Sequence, residues 1–207
     1  GVNDEAVLAA MGAVRRHRFI PESRRGSDAY GDHPCPIGYG QTISQPYIVA
    51  YMTQRIEVES GDRILEIGTG SGYQAAVLAE LGAEVYSVEI IPELADHARA
   101  ALAAEGYSSA RVKTGDGHAG WPKHAPYDAI IVTCAPTEIP EALPPQLKDG
   151  GRMILPVGEG VQQLVVLKKT GAAFEEIPDL SVRFVPMLRG RASDLGEPES
   201  EPRRVDR

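Results

Sequence analysis

The chain has 207 residues, 43% of them hydrophobic and 24% charged, which is the composition of an ordinary globular protein with a core of its own. Its 29 Asp and Glu residues outnumber its 21 Lys and Arg residues, so the net charge is -8 and the field repels phosphate backbones; we expect no nucleic-acid partner. No apolar run reaches membrane-spanning length, so we expect no membrane partner. The two cysteines fit neither a disulfide framework nor a zinc spacing, so we expect no metal and a cytoplasmic location. We also expect a monomer.

The first predicted element is a helix over residues 3–16. Asn3 can cap it, and its apolar residues recur on one face. Its basic end, residues 15–18, is typical of charges that complement a helix dipole, although contact with a substrate is an alternative. Residues 22–40 are rich in Gly, Pro, Ser and Asp, and they predict a long loop of the kind that often forms a lid or a binding segment.

The segment Q-T-I-S at residues 41–44 comes directly before a predicted helix that has Pro46 in its first turn. Helix capping is the ordinary reason for a Ser or a Thr at such a place. Ser44 and Thr42 are therefore either caps or functional residues, and the local pattern leaves both interpretations open.

The stretch R-I-L-E-I-G-T-G-S-G at residues 63–72 is a short apolar strand followed by alternate glycines, and a helix is predicted over residues 74–81. Missing Cβ atoms let a ligand approach the backbone, and the first helical turn offers unpaired N–H groups. The spacing differs from the G-x-G-x-x-G of dinucleotide-binding folds, and Glu66 lies at the end of the strand. A carboxylate there suits a cationic ligand better than a pyrophosphate, so the pattern favours S-adenosylmethionine over a plain glycine turn.

Beyond this turn, extended and helical segments alternate, which predicts an α/β fold with a doubly wound, mostly parallel sheet. Two late strands without a helix between them predict an antiparallel hairpin on one edge. The predicted strands are residues 84–89, 110–114, 127–133 and 151–157, the helices are residues 92–105 and 138–147, and the hairpin joins residues 163–168 to 175–186.

The domain organisation follows from this order of elements. We expect a single domain over residues 1–195. Residues 1–60 are its N-terminal helix, loop and substrate segment, and residues 61–195 are the cofactor-binding sheet with its edge strands. Residues 196–207 are polar and contain proline, which predicts a disordered tail.

Acidic residues follow three successive predicted strands, at the edge where open α/β sheets bind ligands. Glu66 follows the first strand, and Glu89 is placed to accept hydrogen bonds from a ribose diol. Asp116 is placed to accept from an adenine amino group, while Gly117 leaves room for the ring. Together these residues favour a nucleoside-binding site.

The sequence resembles the protein-L-isoaspartate (D-aspartate) O-methyltransferases over the whole chain except its tail. This resemblance implies the Rossmann-like fold of class I S-adenosylmethionine-dependent methyltransferases. The T-I-S and V-P segments are close to diagnostic, whereas many methyltransferases share the glycine motif. The matching segments are Q-T-I-S at 41–44, L-E-I-G-T-G-S-G-Y at 65–73, G-D-G at 115–117, A-P-Y-D-A-I-I at 125–131, Q-L-K-D-G-G-R at 146–152, L-P-V-G at 155–158 and R-F-V-P at 183–186.

The resemblance implies a protein-repair enzyme that transfers a methyl group from S-adenosylmethionine to the free α-carboxylate of L-isoaspartyl and D-aspartyl residues in damaged proteins and peptides. Ser44 matches the family's catalytic serine, and the matched substrate-binding residues are Thr42, Ile43, Val185 and Pro186. Matched cofactor-binding residues are Glu66, Gly68, Thr69, Gly70, Gly72, Glu89, Asp116 and Gly117. Cys134 departs from the small residues of many relatives, and whether it touches the ligand stays open.

The implied reaction needs no catalytic base, because a carboxylate is already ionised at neutral pH. Alignment in a dry pocket is what remains, so we interpret Ser44 as orienting the substrate carboxylate. Two alternatives stay open: a class I methyltransferase acting on a small-molecule carboxylate, and a non-enzymatic adaptor that binds isoaspartyl proteins. An adaptor is expected to lose Ser44, Glu89 or Asp116, and all three are present.

Overall fold

The computed structural model describes residues 1–24 and 28–190. Within these ranges the chain forms α-helices on one face of a large sheet, a separate small hairpin and several short 3-10 helices. The helices are α1 (Glu5–Ala13), α2 (Pro46–Arg55), α3 (Tyr73–Glu80) and α4 (Pro92–Ala104). The strands are β1 (Cys35–Gly38), β2 (Gln41–Ile43), β3 (Arg63–Ile67), β4 (Glu84–Glu89), β5 (Ala110–Thr114), β6 (Tyr127–Val132), β7 (Leu147–Val157), β8 (Gln162–Thr170) and β9 (Ala173–Val182).

Seven strands form one mixed sheet in the order β5-β4-β3-β6-β7-β8-β9. The strands from β5 to β7 are parallel to their neighbours, whereas β8 and β9 extend the sheet as an antiparallel pair. The strand order reverses between β3 and β6, which places a ligand crevice at the carboxyl ends of these two strands. The predicted fold class, with its antiparallel edge, is confirmed.

Apolar side chains of the central strands point alternately to the two faces of the sheet. On one face Ile64 and Ile131 pack with buried residues from all four helices. On the other face Leu65 and Ile130 pack with Leu143 and its neighbours. These five side chains are 0% exposed, so both faces of β3 and β6 are covered and the carboxyl ends of these strands are held rigidly.

The predicted helix over residues 138–147 is wrong. That stretch holds a single 3-10 helix, Pro144–Gln146, and the second face of the sheet is covered by irregular chain and by further 3-10 turns. Four prolines lie between residues 136 and 145, and each lacks the N–H that would continue a helix.

The N-terminal part also differs from its prediction. α1 begins at Glu5, and Asp4 rather than Asn3 caps it, because the Asp4 carboxylate accepts a hydrogen bond from Val7 N–H at 3.0 Å. The predicted loop over residues 22–40 contains β1, which pairs antiparallel with β2. Residues 25–27 of that loop and the predicted disordered tail at 196–207 lie outside the described residues.

The late hairpin is confirmed as β8 and β9, but its second strand ends at Val182 instead of reaching residue 186. The four residues that follow leave the strand and return towards the crevice. In residues 1–24 and 28–190, the helices are all too short or too polar to cross a membrane.

Candidate active site

A cavity opens at the carboxyl ends of β3, β4 and β6, and its empty space together with its open mouth measures about 830 Å³. Its wall is formed by the segment before α2 and residues of α2, by the glycine turn and the start of α3, by the ends of β4 and β6, by Gly117 and by the segment after β9. The predicted site residues that line it are Thr42, Ile43, Ser44, Gly68, Thr69, Gly70, Glu89, Gly117, Val185 and Pro186. The fold therefore brings together residues that lie up to 144 positions apart in the sequence, which is the separation between Thr42 and Pro186.

The glycine turn connects β3 to α3 through backbone conformations that other residues rarely adopt. Gly68 and Gly70 have φ angles of 94° and 51°, and a Cβ atom on Gly68 would lie 2.7 Å from the hydroxyl oxygen of Thr133. Gly72, with a φ of 88°, faces α4 instead, where a Cβ atom would lie 3.3 Å from that of Ala98. Gly68 and Gly70 thus shape the cavity wall, whereas Gly72 allows α3 and α4 to pack closely.

Glu89 ends β4 with its carboxylate in the cavity wall and is 5% exposed. One carboxylate oxygen accepts a hydrogen bond from Gly70 N–H at 2.7 Å, and the other accepts from Ile91 N–H at 3.0 Å. Burial raises the pKa of Glu89, and these backbone donors counteract the rise. The two bonds fix the carboxylate in place, and each oxygen keeps a lone pair for a further donor.

Glu66 lies behind the cavity wall and does not line it. Its side chain is 0% exposed, and its Oε2 accepts a hydrogen bond from the Ser87 hydroxyl, which also contacts the hydroxyl of Thr69. Among the described residues, the Oε1 atom of Glu66 has no hydrogen-bond partner. Burial raises the pKa of Glu66 to about 8, against the lowering effect of the Ser87 hydrogen bond and with a smaller contribution from the negative charge of Glu89. Glu66 is therefore largely protonated at neutral pH.

Asp116 also lies outside the cavity lining. Its Oδ1 accepts hydrogen bonds from the backbone N–H and the ring Nδ1 of His118, both at 2.8 Å, and its Oδ2 accepts from Gly190 N–H at 3.2 Å. Partial burial disfavours the charge, but the hydrogen bonds from His118 outweigh it and lower the pKa of Asp116. The contact of Asp116 with an adenine amino group stays a prediction.

Gly117 lines the cavity where a side chain has no room. A Cβ atom there would lie 2.4 Å from the Cγ2 atom of Ile67 and 3.2 Å from the Cε atom of Met187. The absence of a side chain lets the Gly117 backbone pack against these two side chains at the cavity wall. The room for a ring at Gly117 stays a prediction.

Ser44 lies between β2 and α2, at the junction of the cavity with a second, larger groove. The N-cap of α2 is Gln45, and Thr42 belongs to β2, so neither Ser44 nor Thr42 has the capping role left open by the sequence. The groove has a volume of about 1130 Å³ and includes residues from the start of α2 and from the segment after β9. Residues shared by the groove and the cavity are Thr42, Ser44, Ile48, Thr133, Phe184 and Val185.

The segment after β9 is held against the sheet by hydrogen bonds at both ends. The side chain of Gln162 accepts from Phe184 N–H at 2.8 Å and donates to the Phe184 carbonyl at 3.3 Å. Ala135 N–H donates to the Val185 carbonyl at 2.8 Å, and the Ala135 carbonyl accepts from Met187 N–H at 2.8 Å. Among the residues that the structure describes, no oxygen accepts a hydrogen bond from the backbone N–H of Val185.

Sequence reasoning missed several residues of the cavity wall. Thr133 follows β6, and its hydroxyl donates to the carbonyls of Gly68, at 2.5 Å, and Ile67, at 3.1 Å, which secures the glycine turn. Cys134 lines the cavity beside it, and burial raises the pKa of its thiol. The available signal was the place of both residues at the end of a central strand, since strand ends meet at the same edge of a parallel sheet.

Comparison with known proteins identifies the family. The family model "Protein-L-isoaspartate(D-aspartate) O-methyltransferase" matches residues 1–192. The chain belongs to this family. A protein-L-isoaspartate O-methyltransferase of Gloeobacter violaceus is 54% identical over 94% of this chain and 95% of its own length. Another, of Methanoculleus marisnigri, is 55% identical over 91% of this chain and 86% of its own length.

Solved structures of the family have the same fold. One protein-L-isoaspartate O-methyltransferase is 31% identical, with a TM-score of 0.83 over 93% of this chain and 63% of its own chain. A candidate protein-L-isoaspartate O-methyltransferase from Plasmodium falciparum, in complex with S-adenosyl-L-homocysteine, has a TM-score of 0.81 at 23% identity, over 91% of this chain and 93% of its own. The predicted family is thereby confirmed.

Proposed function

We propose that this chain is a protein-repair methyltransferase. It transfers a methyl group from S-adenosylmethionine to the free α-carboxylate of L-isoaspartyl residues, and of D-aspartyl residues, in damaged proteins and peptides. The observation that carries this proposal is the family match over residues 1–192, and the site geometry agrees with it. A cofactor-sized cavity and an open groove meet at Ser44, as a reaction between a small donor and a peptide requires.

The residues present fit S-adenosylmethionine as the cofactor. The glycine turn allows close approach to its backbone, the fixed Glu89 carboxylate offers acceptors to a diol, and Gly117 lies in the cavity wall, where we place the planar base. We assign cofactor binding to these residues and to Thr69. When bound, the cofactor supplies a methyl group activated by a neighbouring sulfonium. Among the residues with described coordinates, no group of three or more His, Cys, Asp and Glu side chains could hold a metal ion.

The protein's contribution to the reaction is alignment in a water-poor site. The nucleophile is a carboxylate that is ionised at neutral pH, so no side chain has to remove a proton. Alignment can supply roughly 7 to 11 kcal/mol of a barrier in favourable cases. Ser44 orients the carboxylate through its hydroxyl, and Ile43, which is 3% exposed, helps to keep water away. A hydroxyl aligns the nucleophile without the strong ion pair that an arginine would form.

The peptide lies in the groove beside Val185, and Pro186 lines the adjoining cavity. One methylene in an apolar pocket discriminates only about 10- to 200-fold, so rejection of ordinary aspartate needs hydrogen bonds to the peptide backbone. The free N–H of Val185 is the donor that we assign to this task, in the manner of strand addition. Neighbouring backbone groups at Phe184 are already bonded to Gln162, which limits the contact to a short stretch of peptide.

Isoaspartyl proteins and peptides are the partners that this function requires. We infer that the chain acts as a monomeric single domain over residues 1–195, without nucleic-acid or membrane partners and in the cytoplasm. The net charge of -8 supports the lack of a nucleic-acid partner. Light scattering after size-exclusion chromatography is expected to give the mass of one chain, and the mass of two chains would contradict the monomer.

One assay tests the proposed function. The chain is incubated with S-adenosylmethionine and with paired peptides that differ only in an isoaspartyl or an aspartyl link. We expect a base-labile methyl ester on the isoaspartyl peptide alone. Methylation of both peptides, or only of small carboxylates, would favour the small-molecule alternative. Peptide binding without methylation would favour the adaptor.

The role of Ser44 is tested in the same assay by the Ser44→Ala variant. We expect a lower kcat with little change in the affinity for S-adenosylhomocysteine, since the hydroxyl acts on the carboxylate. A variant that retains the full kcat would refute the orienting role.

A further inference from the structure

Arg16 is a fully buried arginine that the cofactor and peptide sites described above leave unexplained. It begins the 3-10 helix Arg16–Phe19 that follows α1, and it is 0% exposed, whereas its neighbour Arg15 has a side chain that is 56% exposed and paired with Glu105. The basic segment at residues 15–18 is therefore not a uniform surface cluster. Arginine is rarely buried to this degree unless its donors are bonded.

The guanidinium of Arg16 connects its own segment to the loop that contains Ala29 and His33 and to Ser44, by hydrogen bonds to backbone carbonyls. Its Nη1 donates to the carbonyl of Ala29, and its Nη2 donates to those of His33, at 3.1 Å, and Ser44, at 3.2 Å. The Cys35 sulfur lies 3.8 Å from each of these nitrogens. Among the described residues, no carboxylate forms an ion pair with Arg16. Its two Nη nitrogens are thus used on the backbone, in a planar fork of fixed geometry, whereas its Nε has no hydrogen-bond partner among the described residues.

The bond to Ser44 is the one that reaches the active site. Ser44 is not held by helix capping, because Gln45 is the N-cap of α2. Its carbonyl is held by Arg16, which does not itself line the cavity, and the orientation of the Ser44 backbone determines where its hydroxyl points. A misplacement of about 1 Å at a reacting centre can lower a rate by 100-fold.

We propose that Arg16 is a positioning residue for catalysis, which acts by fixing the backbone of Ser44. This inference rests on the proposed function, since it concerns the hydroxyl that orients the substrate carboxylate. Arg16 itself does not line the cavity or the groove. Its guanidinium also lies 5.9 Å from the ring of Tyr73, a cavity residue, so cofactor binding has to be measured separately.

Two variants and one control test the assignment. Arg16→Lys keeps the charge but loses the planar fork, and Arg16→Gln keeps one donor without the charge. We expect both to lower kcat for an isoaspartyl peptide by about 10- to 100-fold, with the dissociation constant of S-adenosylhomocysteine within about 3-fold of the unsubstituted protein. Arg15→Gln breaks only the pair with Glu105, whose carboxylate keeps Arg18 at 3.3 Å, and it is expected to leave both quantities unchanged.

A double-mutant cycle with Ser44→Ala separates positioning from general support of the fold. If Arg16 acts through the Ser44 hydroxyl, Arg16→Lys lowers kcat by less than about 3-fold in the Ser44→Ala background, because the two effects are not additive. Additive losses would overturn the proposal. So would variants that no longer bind S-adenosylhomocysteine, since Arg16 would then serve the whole fold. The unsubstituted protein on the paired peptides tests the proposed function independently of these variants.

Discussion

Replacing Glu66 by glutamine tests the statement that this buried side chain is protonated in the folded protein. The pKa of Glu66 rises from 4.5 to about 8 on folding, so the folded state binds a proton that the unfolded state releases between these pH values. The contribution of Glu66 to the free energy of unfolding is therefore fully present below pH 4.5 and is lost as the pH rises towards 8. The full loss corresponds to about 5 kcal/mol of the free energy of unfolding.

Glu66→Gln removes this proton linkage and keeps an acceptor for the Ser87 hydroxyl. The glutamine brings its own offset, because its NH₂ group replaces the unpaired Oε1, but that offset does not depend on pH. The difference in free energy of unfolding between the variant and the unsubstituted protein should shift by about 3 kcal/mol in favour of the variant between pH 5.5 and pH 8.5.

Urea denaturation of both proteins at these two pH values measures the shift, and the titration of all other groups cancels in the difference. A second variant, Glu93→Gln, is the matched control, because Glu93 lies on the exposed first turn of α4. For Glu93→Gln we expect the difference in free energy of unfolding from the unsubstituted protein to be nearly the same at both pH values. A pH-independent difference for Glu66→Gln would mean that Glu66 is ionised in the folded protein, and the reasoning would be refuted.

Three further substitutions test other parts of the site. Gly117→Ala places a Cβ atom 2.4 Å from the Ile67 side chain, so we expect the affinity for S-adenosylhomocysteine, measured by calorimetry, to fall by about 10-fold or more. Val185→Pro removes the free N–H and should raise the KM for the peptide far more than the KM for the cofactor; equal losses would count against the strand-addition contact. Asp179→Ala removes the acceptor of the Tyr51 hydroxyl, at 2.6 Å, and of Arg55 Nε, at 2.7 Å, and both contacts tie α2 to β9. We expect it to raise the peptide KM and to lower the free energy of unfolding by about 1 to 3 kcal/mol, and an unchanged peptide KM would show that these contacts do not shape the groove.

Predictions from the sequence succeeded where the deciding interactions are local. The strand–glycine–helix order of residues 63–81 follows from apolar periodicity and from glycines that tolerate positive φ, and neither depends on distant parts of the chain. The helix predicted over residues 138–147 is wrong because Pro140, Pro144 and Pro145 lack the N–H groups that a continuous helix needs. The strand β1 within the predicted loop was missed because it is short and pairs only with β2.

The sequence by itself determined the order of most elements, the crevice at their carboxyl ends and ten of the residues that line the cavity, since parallel strands bring their ends to one edge. Only the tertiary structure decided what each polar group does there. Glu66 is protonated because distant segments bury it in a dry interior, against the lowering effect of the hydrogen bond from Ser87, which is 21 positions away. Arg16 reaches Ser44 across 28 positions. Burial and hydrogen-bond partners depend on contacts between distant segments, and no local pattern in the chain encodes them.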